Sequence, residues 1–558
     1  MRRKRLPVLA VAGIVIIILL VVLIGSLIKK YTPSKDRADL NEYFALEAEN
    51  DVGIIVQNEK IEAKAKLIDG TIYLDYDTVK QYLNSRFYFD TKENVLLYTL
   101  PKDVVSAEVG KKEYNISKTV NSENYTIVKT DAQTAYIAID FIQKYTNIDY
   151  SYFENPNRVV ITNIWGNISV ADAKKNTQVR YRGGIKSEIL TDVVKGDKLI
   201  LLEDEDDWQK VLTADGFIGY IKSNALSNIR EEETSREFDE PEYTSIKKDY
   251  KVNMVWHQTF TAAANDTFLS SIANTKGVNT VSPTWFSLAD NDGNIKSLAN
   301  ESYVNYAHQL GMEVWGMVSN LVEGVDTHEV LSYTSKREKL SNQLIASAIN
   351  YNLDGINVDF EELSSETGEA YIQFIRELSV KCRNNGIILS IDNYVSAPYN
   401  LFYNRKEQSV FADYLIIMGY DEHYSGSEEA GSVASIGYVS EGIKAMLEEA
   451  PAEKVILGIP FYTRLWSESP LKCSSVGMDE ASRILSVNGV TPEWDSNCGQ
   501  YYAQYEKDGK TYKIWLEEAT SIEEKLKLMK ANNLAGVAAW KLGLENSSIW
   551  DTILKYVN

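Results

Sequence analysis

The stretch "LDGINVDFEELS", Leu353 to Ser364, holds the residues of this chain best spaced for chemistry. Asn357, Asp359 and Glu361 alternate with Ile356, Val358 and Phe360. Such alternation belongs to a β-strand, whose successive side chains point to opposite faces. One face is apolar; the other carries an amide and two carboxylates about 7 Å apart by backbone rise. Taking carboxylates out of water costs several kcal/mol per ion unless they are paired or hydrogen-bonded. A strand that only filled a core would carry Val, Ile or Leu there, so the pattern points to acid–base chemistry.

Seven more strand-like stretches surround this one: "KVNMVWHQTF", "VNTVSPTWFSL", "MEVWGMVSN", "GIILSIDNYV", "ADYLIIMGYDE", "EKVILGIPFYTRLW" and "LAGVAAWKL". Helical patterns lie between them, among them "KLSNQLIASAINYN", "EAYIQFIRELSVKCRNN" and "SIEEKLKLMKANN", the last opening on a capping box of Ser521 and Glu524. Eight strand–helix units predict an α/β domain, a (β/α)8 TIM barrel, over residues 249–558. Catalytic side chains of such barrels sit at the C-terminal ends of the strands. Glu361 falls near that end, Asp359 two residues deeper and Asn357 below both. Asp354 falls on the opposite parity and reads as structural support. The stretch 467–516 is too long for a simple connection and is expected to hold a small inserted hairpin element.

"LDGINVDFE" matches D-G-x-[DN]-x-D-x-E at every fixed position, and "MGYDE", "LGIPFYTRLW" and "GVAAWKLG" extend the likeness. These motifs resemble those of glycoside hydrolase family 18, most closely its spore-cortex and cell-wall N-acetylglucosaminidase branch. The resemblance implies roles. Glu361 would be the general acid, and Asp359 would orient the substrate N-acetyl group and stabilise the oxazolinium it forms. Tyr420, with Asp421, would contact that acetamido group. Trp540 would floor the −1 sugar site, and Met418, Tyr462 and Arg464 would line the cleft. No protein nucleophile is implied, because the acetamido oxygen itself attacks. Trp285 and Trp256 read either as sugar-binding residues or as packed barrel residues. One departure concerns Asn357, where the family more commonly has Asp. An amide cannot share a proton, so Asp359 is expected to stay more fully ionised and to raise the pKa of Glu361. Glu362-Leu363 also replaces the aromatic-proline pair of many chitinases.

The rest of the chain concerns placement. An apolar run from Leu6 to Ile28 is long enough to span a bilayer. Arg2, Arg3, Lys4 and Arg5 before it put the N-terminus in the cytoplasm by the positive-inside rule; a cleaved signal peptide is the alternative. Residues 1–30 are thus read as basic stub and membrane helix, and 31–50 as linker. Residues 51–166 show an α+β pattern, and "GTIYLDYDTVKQYLN … FYFDTKENVLLYT" resembles the stalk module called the copper amine oxidase N-terminal-like domain. In 167–228, short strands separated by "KGD", "EDD" and "ADG", with "VRYR", Trp208 and "DGFIGYI", predict a small all-β barrel. It resembles a bacterial SH3 domain. Residues 229–248, "IREEETSREFDEPEY" and beyond, read as an acidic linker.

Composition narrows the partners. A net charge of −21 argues against nucleic acid. The four histidines show no paired ligand spacing, and none of the three cysteines sits in a CxxC pair, so neither metal nor cofactor is expected. Cys473 and Cys498 could pair in an oxidising compartment; Cys382 reads as a buried small hydrophobe. The combined expectation is a monomeric, single-pass membrane protein with its catalytic domain facing the cell wall. It would cleave β-1,4 bonds after N-acetylglucosamine in peptidoglycan. The alternatives are a chitinase or chitooligosaccharide hydrolase, and a non-catalytic N-acetyl-sugar-binding protein.

Overall fold

The computed structural model describes residues 5–558 except Gln133 and Ser469. Arg2, Arg3 and Lys4 of the expected basic stub lie outside the described residues. Two compact units emerge. One carries the chain up to Phe89, with Ala107–Asn115 and Thr119–Glu240; the other carries Asp90–Ser106, Ile116–Lys118 and Pro241–Asn558.

In the first unit, the apolar run forms one helix, Arg5–Tyr31. Its segment Ala10–Tyr31 is long and apolar enough to cross a membrane. A seven-stranded sheet follows, with Asp51–Val56 parallel to Arg158–Thr162 and antiparallel to Glu59–Ile68. A second seven-stranded, antiparallel sheet spans Gly166 to Thr234. It closes over Ala171, Val179, Val193, Leu199, Val211 and Ile221. Trp208 and Tyr220 are half-buried, on paired strands beside that core.

Two expected linkers are partly structured. Within 31–50, Asp39 caps a short helix, Leu40–Phe44, that buries Tyr43 and Phe44 beside Phe217. The charged run from Ile229 begins as strand, because Leu226–Thr234 pairs antiparallel with Gly166–Ala173. Arg230 bridges Asp172 and Glu232, and Lys198 bridges Glu232. A half-exposed edge strand tolerates such charges, and they discourage further edge pairing.

In the second unit, eight parallel strands form a closed barrel. They are β1 (Val252–His257), β2 (Thr280–Pro283), β3 (Glu313–Ser319), β4 (Gly355–Asp359), β5 (Ile388–Tyr394), β6 (Tyr414–Met418), β7 (Val455–Pro460) and β8 (Gly536–Trp540). The ring runs β1 to β8 in chain order; β8 pairs with β1, and β2 with β3. Strand alternation divides the apolar residues into two cores. Ile356, Val358, Leu389, Ile391, Leu415 and Ile417 face the helices, while Met254, Trp256, Trp315, Ile388, Tyr414, Ile416 and Ile456 fill the interior. Among the helices between strands, Gly368–Asn384 buries most of its residues.

The insertion after β7 is larger than a hairpin. Tyr462–Ser467, Lys472–Gly477, Glu493–Asp495, Gln500–Lys507 and Lys510–Leu516 form a five-stranded antiparallel sheet, with the helix Met478–Val487 between its second and third strands. Cys473 and Cys498 within it carry free thiols, and Cys382 is free and buried. The helix Ala519–Ala531 starts earlier than its sequence pattern suggests. Glu518 is its N-cap and Ser521 the reciprocal partner, where Ser521 and Glu524 were expected.

Candidate active site

The site grows from the C-terminal ends of the strands. Asn357 and Asp359 point into the barrel from β4, level with Met317 and Ser319 of β3. Glu361 follows two residues later, just past the end of the strand. Asn320 fixes its backbone on both sides: the Glu361 N–H donates to Asn320 Oδ1 at 2.8 Å, and Asn320 Nδ2 donates to the Glu361 carbonyl at 2.9 Å. The neighbouring Phe360 carbonyl accepts from Tyr403 Oη at 3.2 Å. The chain then turns through a left-handed conformation at Glu362, φ +53°, which a side chain with a Cβ adopts only when its surroundings hold it there.

Trp256, Met317, Asp359, Glu361, Asp392, Tyr394, Met418, Tyr420, Asp421 and Trp540 line one cleft of about 170 Å³. Trp256 and Trp540 sit with ring centroids 5.9 Å apart. Two glycines make room at Tyr420. A Cβ on Gly419 would lie 2.7 Å from the Gly458 carbonyl oxygen, and one on Gly458 would lie 2.5 Å from that of Ile417 and 3.3 Å from the Tyr420 ring. The glycines of "MGYD" and "LGIPF" therefore let β6 and β7 approach each other beside that ring. On the other side of Glu361 lies a second groove, lined by Leu321, Val322, Glu323, His328, Glu362 and Leu363 among others.

Carboxyl groups dominate the electrostatics. Burial raises the Glu361 pKa, Asp421 and Glu362 raise it further, and a hydrogen bond from Tyr394 opposes them. Asp359 is buried, and its carboxyl is pushed well above the usual range, first by loss of water, then by Asp392 and Glu361. Its Oδ1 is buried without a hydrogen-bond partner among the described residues. Asp392 is also raised by burial, while the hydrogen bond from Asn357 pulls it back. The Tyr420 hydroxyl is raised by burial and by the same acids. The cleft thus favours protonated carboxyls next to an unfilled acceptor, the state a general acid needs near neutral pH.

Among the sequence candidates, Glu361, Asp359, Tyr420, Asp421, Met418, Trp540 and Trp256 meet in the cleft. Asn357 lies beneath it and takes hydrogen bonds from Trp256 Nε1 at 2.9 Å and Ser282 Oγ at 3.0 Å. Asp354 supports the fold, accepting from the Val314 N–H and bonding His308 Nε2, each at 2.8 Å. Tyr462 and Arg464 need correction, since neither lines the cleft. Both reach it through Asp421, whose Oδ1 accepts from Tyr462 Oη at 2.6 Å and Arg464 Nη2 at 2.5 Å. Trp285 takes the packing alternative of its two readings. It is buried among the outer core residues, donates to Asn265 Oδ1 at 2.8 Å and packs edge-on against Tyr303. It follows Pro283, beyond the end of β2, where strand parity no longer decides which way a side chain points.

Sequence reasoning missed Asp392 and Tyr394. Ser390, Asp392 and Tyr394 share one parity in "LSIDNYV", and that alternation was the available signal. Asp392 also overturns the expectation built on Asn357. Asp359 does have an acidic neighbour, on β5 instead of within its own strand, and its carboxyl is held toward the protonated form.

Comparison with known proteins agrees with this geometry. The profile described as "Glycosyl hydrolases family 18" matches residues 311–545, and that of the "Bacterial SH3 domain" matches residues 175–227. The "Uncharacterized glycosylase YvbX" of Bacillus subtilis is 26% identical over 45% of this chain and 77% of its own length. The "Cortical fragment-lytic enzyme" of Bacillus subtilis is 27% identical over 40% of this chain; the match spans 54% of that enzyme. Among solved structures, the spore cortex-lytic enzyme SleL of Bacillus cereus aligns with TM-score 0.51 and 21% identity, over 58% of this chain and 78% of that one. A chitinase from Chromobacterium violaceum aligns with TM-score 0.50 and 23% identity, over 55% of this chain and 98% of that one. At these identities the structural likenesses speak for the barrel fold alone. Motifs, barrel and profile together make the C-terminal region a family 18 glycoside hydrolase domain, carried in one chain with a bacterial SH3 domain.

Proposed function

We propose that this glycoside hydrolase cleaves β-1,4 bonds after N-acetylglucosamine in peptidoglycan, with retention and with the substrate's acetamido group as nucleophile. One observation carries the reading. A half-buried, raised carboxyl at Glu361 stands beside the buried Asp359, whose Oδ1 has no hydrogen-bond partner among the described residues. A ligand that donates an N–H fills that vacancy, and an acetamido group is such a donor.

In this mechanism the sugar sits over Trp540, and its acetamido N–H donates to Asp359. The acetamido oxygen attacks the anomeric carbon as Glu361 protonates the departing oxygen. Tyr420 donates its hydroxyl to the acetamido oxygen. Tyr462 and Arg464 hold Asp421 beside it. The leaving sugar lies on the far side of Glu361, along the groove that includes Leu321 and Glu362. Water then opens the oxazolinium, with Glu361 as base.

The wall is favoured over chitin by the parts that accompany the barrel. An apolar N-terminal helix would tether the chain to the membrane with its catalytic domain outside, and an SH3-like module would bind the wall. Tethering raises the local concentration of enzyme at its substrate. The second reading, chitooligosaccharide hydrolysis, rests on the likeness to chitinases. Digestion of purified peptidoglycan by the full chain, followed by identification of the new reducing ends, separates the two. N-acetylglucosamine ends are expected. N-acetylmuramic acid ends, or cleavage of chitin oligomers alone, would overturn the proposal.

A further inference from the structure

We infer that Asp392 supplies the second carboxylate that the signature strand lacks at Asn357, so that β4 and β5 together hold one proton between Asp359 and Asp392. This deepens the proposed function and rests on it for the step in which the proton moves. In the free cleft the Asp359 carboxyl keeps the proton. As the substrate acetamido N–H donates to Asp359, that proton passes to the Asp392 carboxylate, leaving Asp359 negative beside the cation that forms. One O–H bond breaks and one forms, with no co-reactant.

The hydrogen-bond geometry fixes the arrangement. Trp256 Nε1 is a donor only, and it points at Asn357 Oδ1, which also accepts from Ser282 Oγ. The amide orientation is therefore set, and its Nδ2 must face the other way. There it donates to Asp392 Oδ1 at 2.9 Å. Asp392 and Asp359 line the same cleft, and both are buried. Asn357 thus steadies a carboxylate on Asp392, and ionising both of two buried acids that line one cleft is disfavoured. The other titratable groups around the pair are Glu361 at the end of β4, Tyr394 of β5, Tyr420 and Asp421 after β6, Tyr371 on the helix Gly368–Asn384, and Tyr403. Among the described residues, no Lys, Arg or His lines the cleft. Asp392 acts through Asp359, so it is a positioning residue for the proton and does not touch the reacting atoms.

The test moves the acid between strands. Asp392→Asn keeps an acceptor for the Asn357 amide and removes the charge. In the full chain, in detergent, its kcat on an aryl β-glycoside of N,N′-diacetylchitobiose should fall about ten- to hundred-fold, the scale of a lost proton partner, with KM within about threefold. The double variant Asn357→Asp with Asp392→Asn returns a carboxylate to β4, where Trp256 and Ser282 already donate. It should recover most of the lost rate. Carbon-13 carboxyl titration is read in parallel, and Asp392→Asn should bring the Asp359 transition down toward the ordinary range. An unchanged Asp359 transition would overturn the inference, as would a double variant no faster than the single. A wild-type chain inactive on the aryl glycoside, but with the Asp359 transition lowered in Asp392→Asn, would refute the proposed function and leave the coupled pair standing. Thermal unfolding of each variant confirms that folded protein is compared.

Discussion

The two ends of the barrel interior are built from the same eight strands and obey opposite rules. Toward the N-terminal end, Met254, Trp315, Ile388, Tyr414, Ile416 and Ile456 form a closed apolar layer, with Trp315 stacked on Tyr414 at 5.6 Å. Toward the C-terminal end, the same strand parity delivers Asp359 and Asp392, with Glu361 just beyond. The lower layer removes apolar surface from water and stabilises the fold at about 25 cal/mol per Å². The upper layer loses water from carboxyl groups and leaves one acceptor unfilled. A single strand therefore changes task within a few residues: Gly355 packs against the Trp315 ring, and Asp359 opens onto the cleft. The difference teaches that stability and chemistry are separated along the barrel axis, so variants at the two ends should fail in different ways.

The largest break in that comparison comes from Glu361→Gln. Hydrolysis should fall about 10³-fold, within the range for loss of a general acid, while the unfolding midpoint stays within a few degrees. Activity and thermal unfolding on one preparation check both halves. At the other end, Ile388→Ala should cost about 2–5 kcal/mol of stability through the cavity it leaves. The rate per folded molecule should be unchanged, as read by chemical denaturation alongside active-site titration. A smaller effect is expected at Asn320, whose side chain hydrogen-bonds the Glu361 backbone and Thr327. Asn320→Ala should lower kcat about tenfold with little change in KM, because a misplaced acid loses rate and not affinity.

The smallest effect concerns pH. The Glu361 carboxyl is raised by burial, Asp421 and Glu362. A general acid works only while protonated, so the basic limb of kcat should lie above the ordinary carboxylate range of about 4. Glu362→Gln removes one raising charge and should move that limb toward lower pH, as a full pH–rate profile would show.

The sequence discloses the barrel and its signature strand because both rest on local patterns. Eight apolar stretches and an alternation of acids can be read one strand at a time. Asp392 escapes that kind of reading. Its meaning depends on the strand beside it, since Asn357 and Ser390 stand in register and Asp392 lies one step above. Tyr462 and Arg464 carry a family motif, yet their place is set by Asp421, whose left-handed backbone, φ +59°, turns the chain at the end of β6. The charged run at Ile229 looks like linker until Gly166–Ala173 provides a partner for its alternating residues. In each case the deciding contact joins residues that are far apart in sequence.

One measurement addresses the separation of the two ends most directly: unfolding free energy across pH together with hydrolysis rate, for wild type and Asp359→Asn. The folded pKa of Asp359 is raised. Its favourable contribution is thus fully present below the unfolded value of about 3.9 and is lost as pH rises through the folded value. Between those two values folding must take up a proton, a cost that grows with pH and that an isosteric amide avoids. The account predicts that at neutral pH Asp359→Asn is more stable by about 1–3 kcal/mol, with a flatter stability–pH curve, and is at least about 100-fold slower. A variant that is less stable than wild type at neutral pH, or equally active, would contradict it.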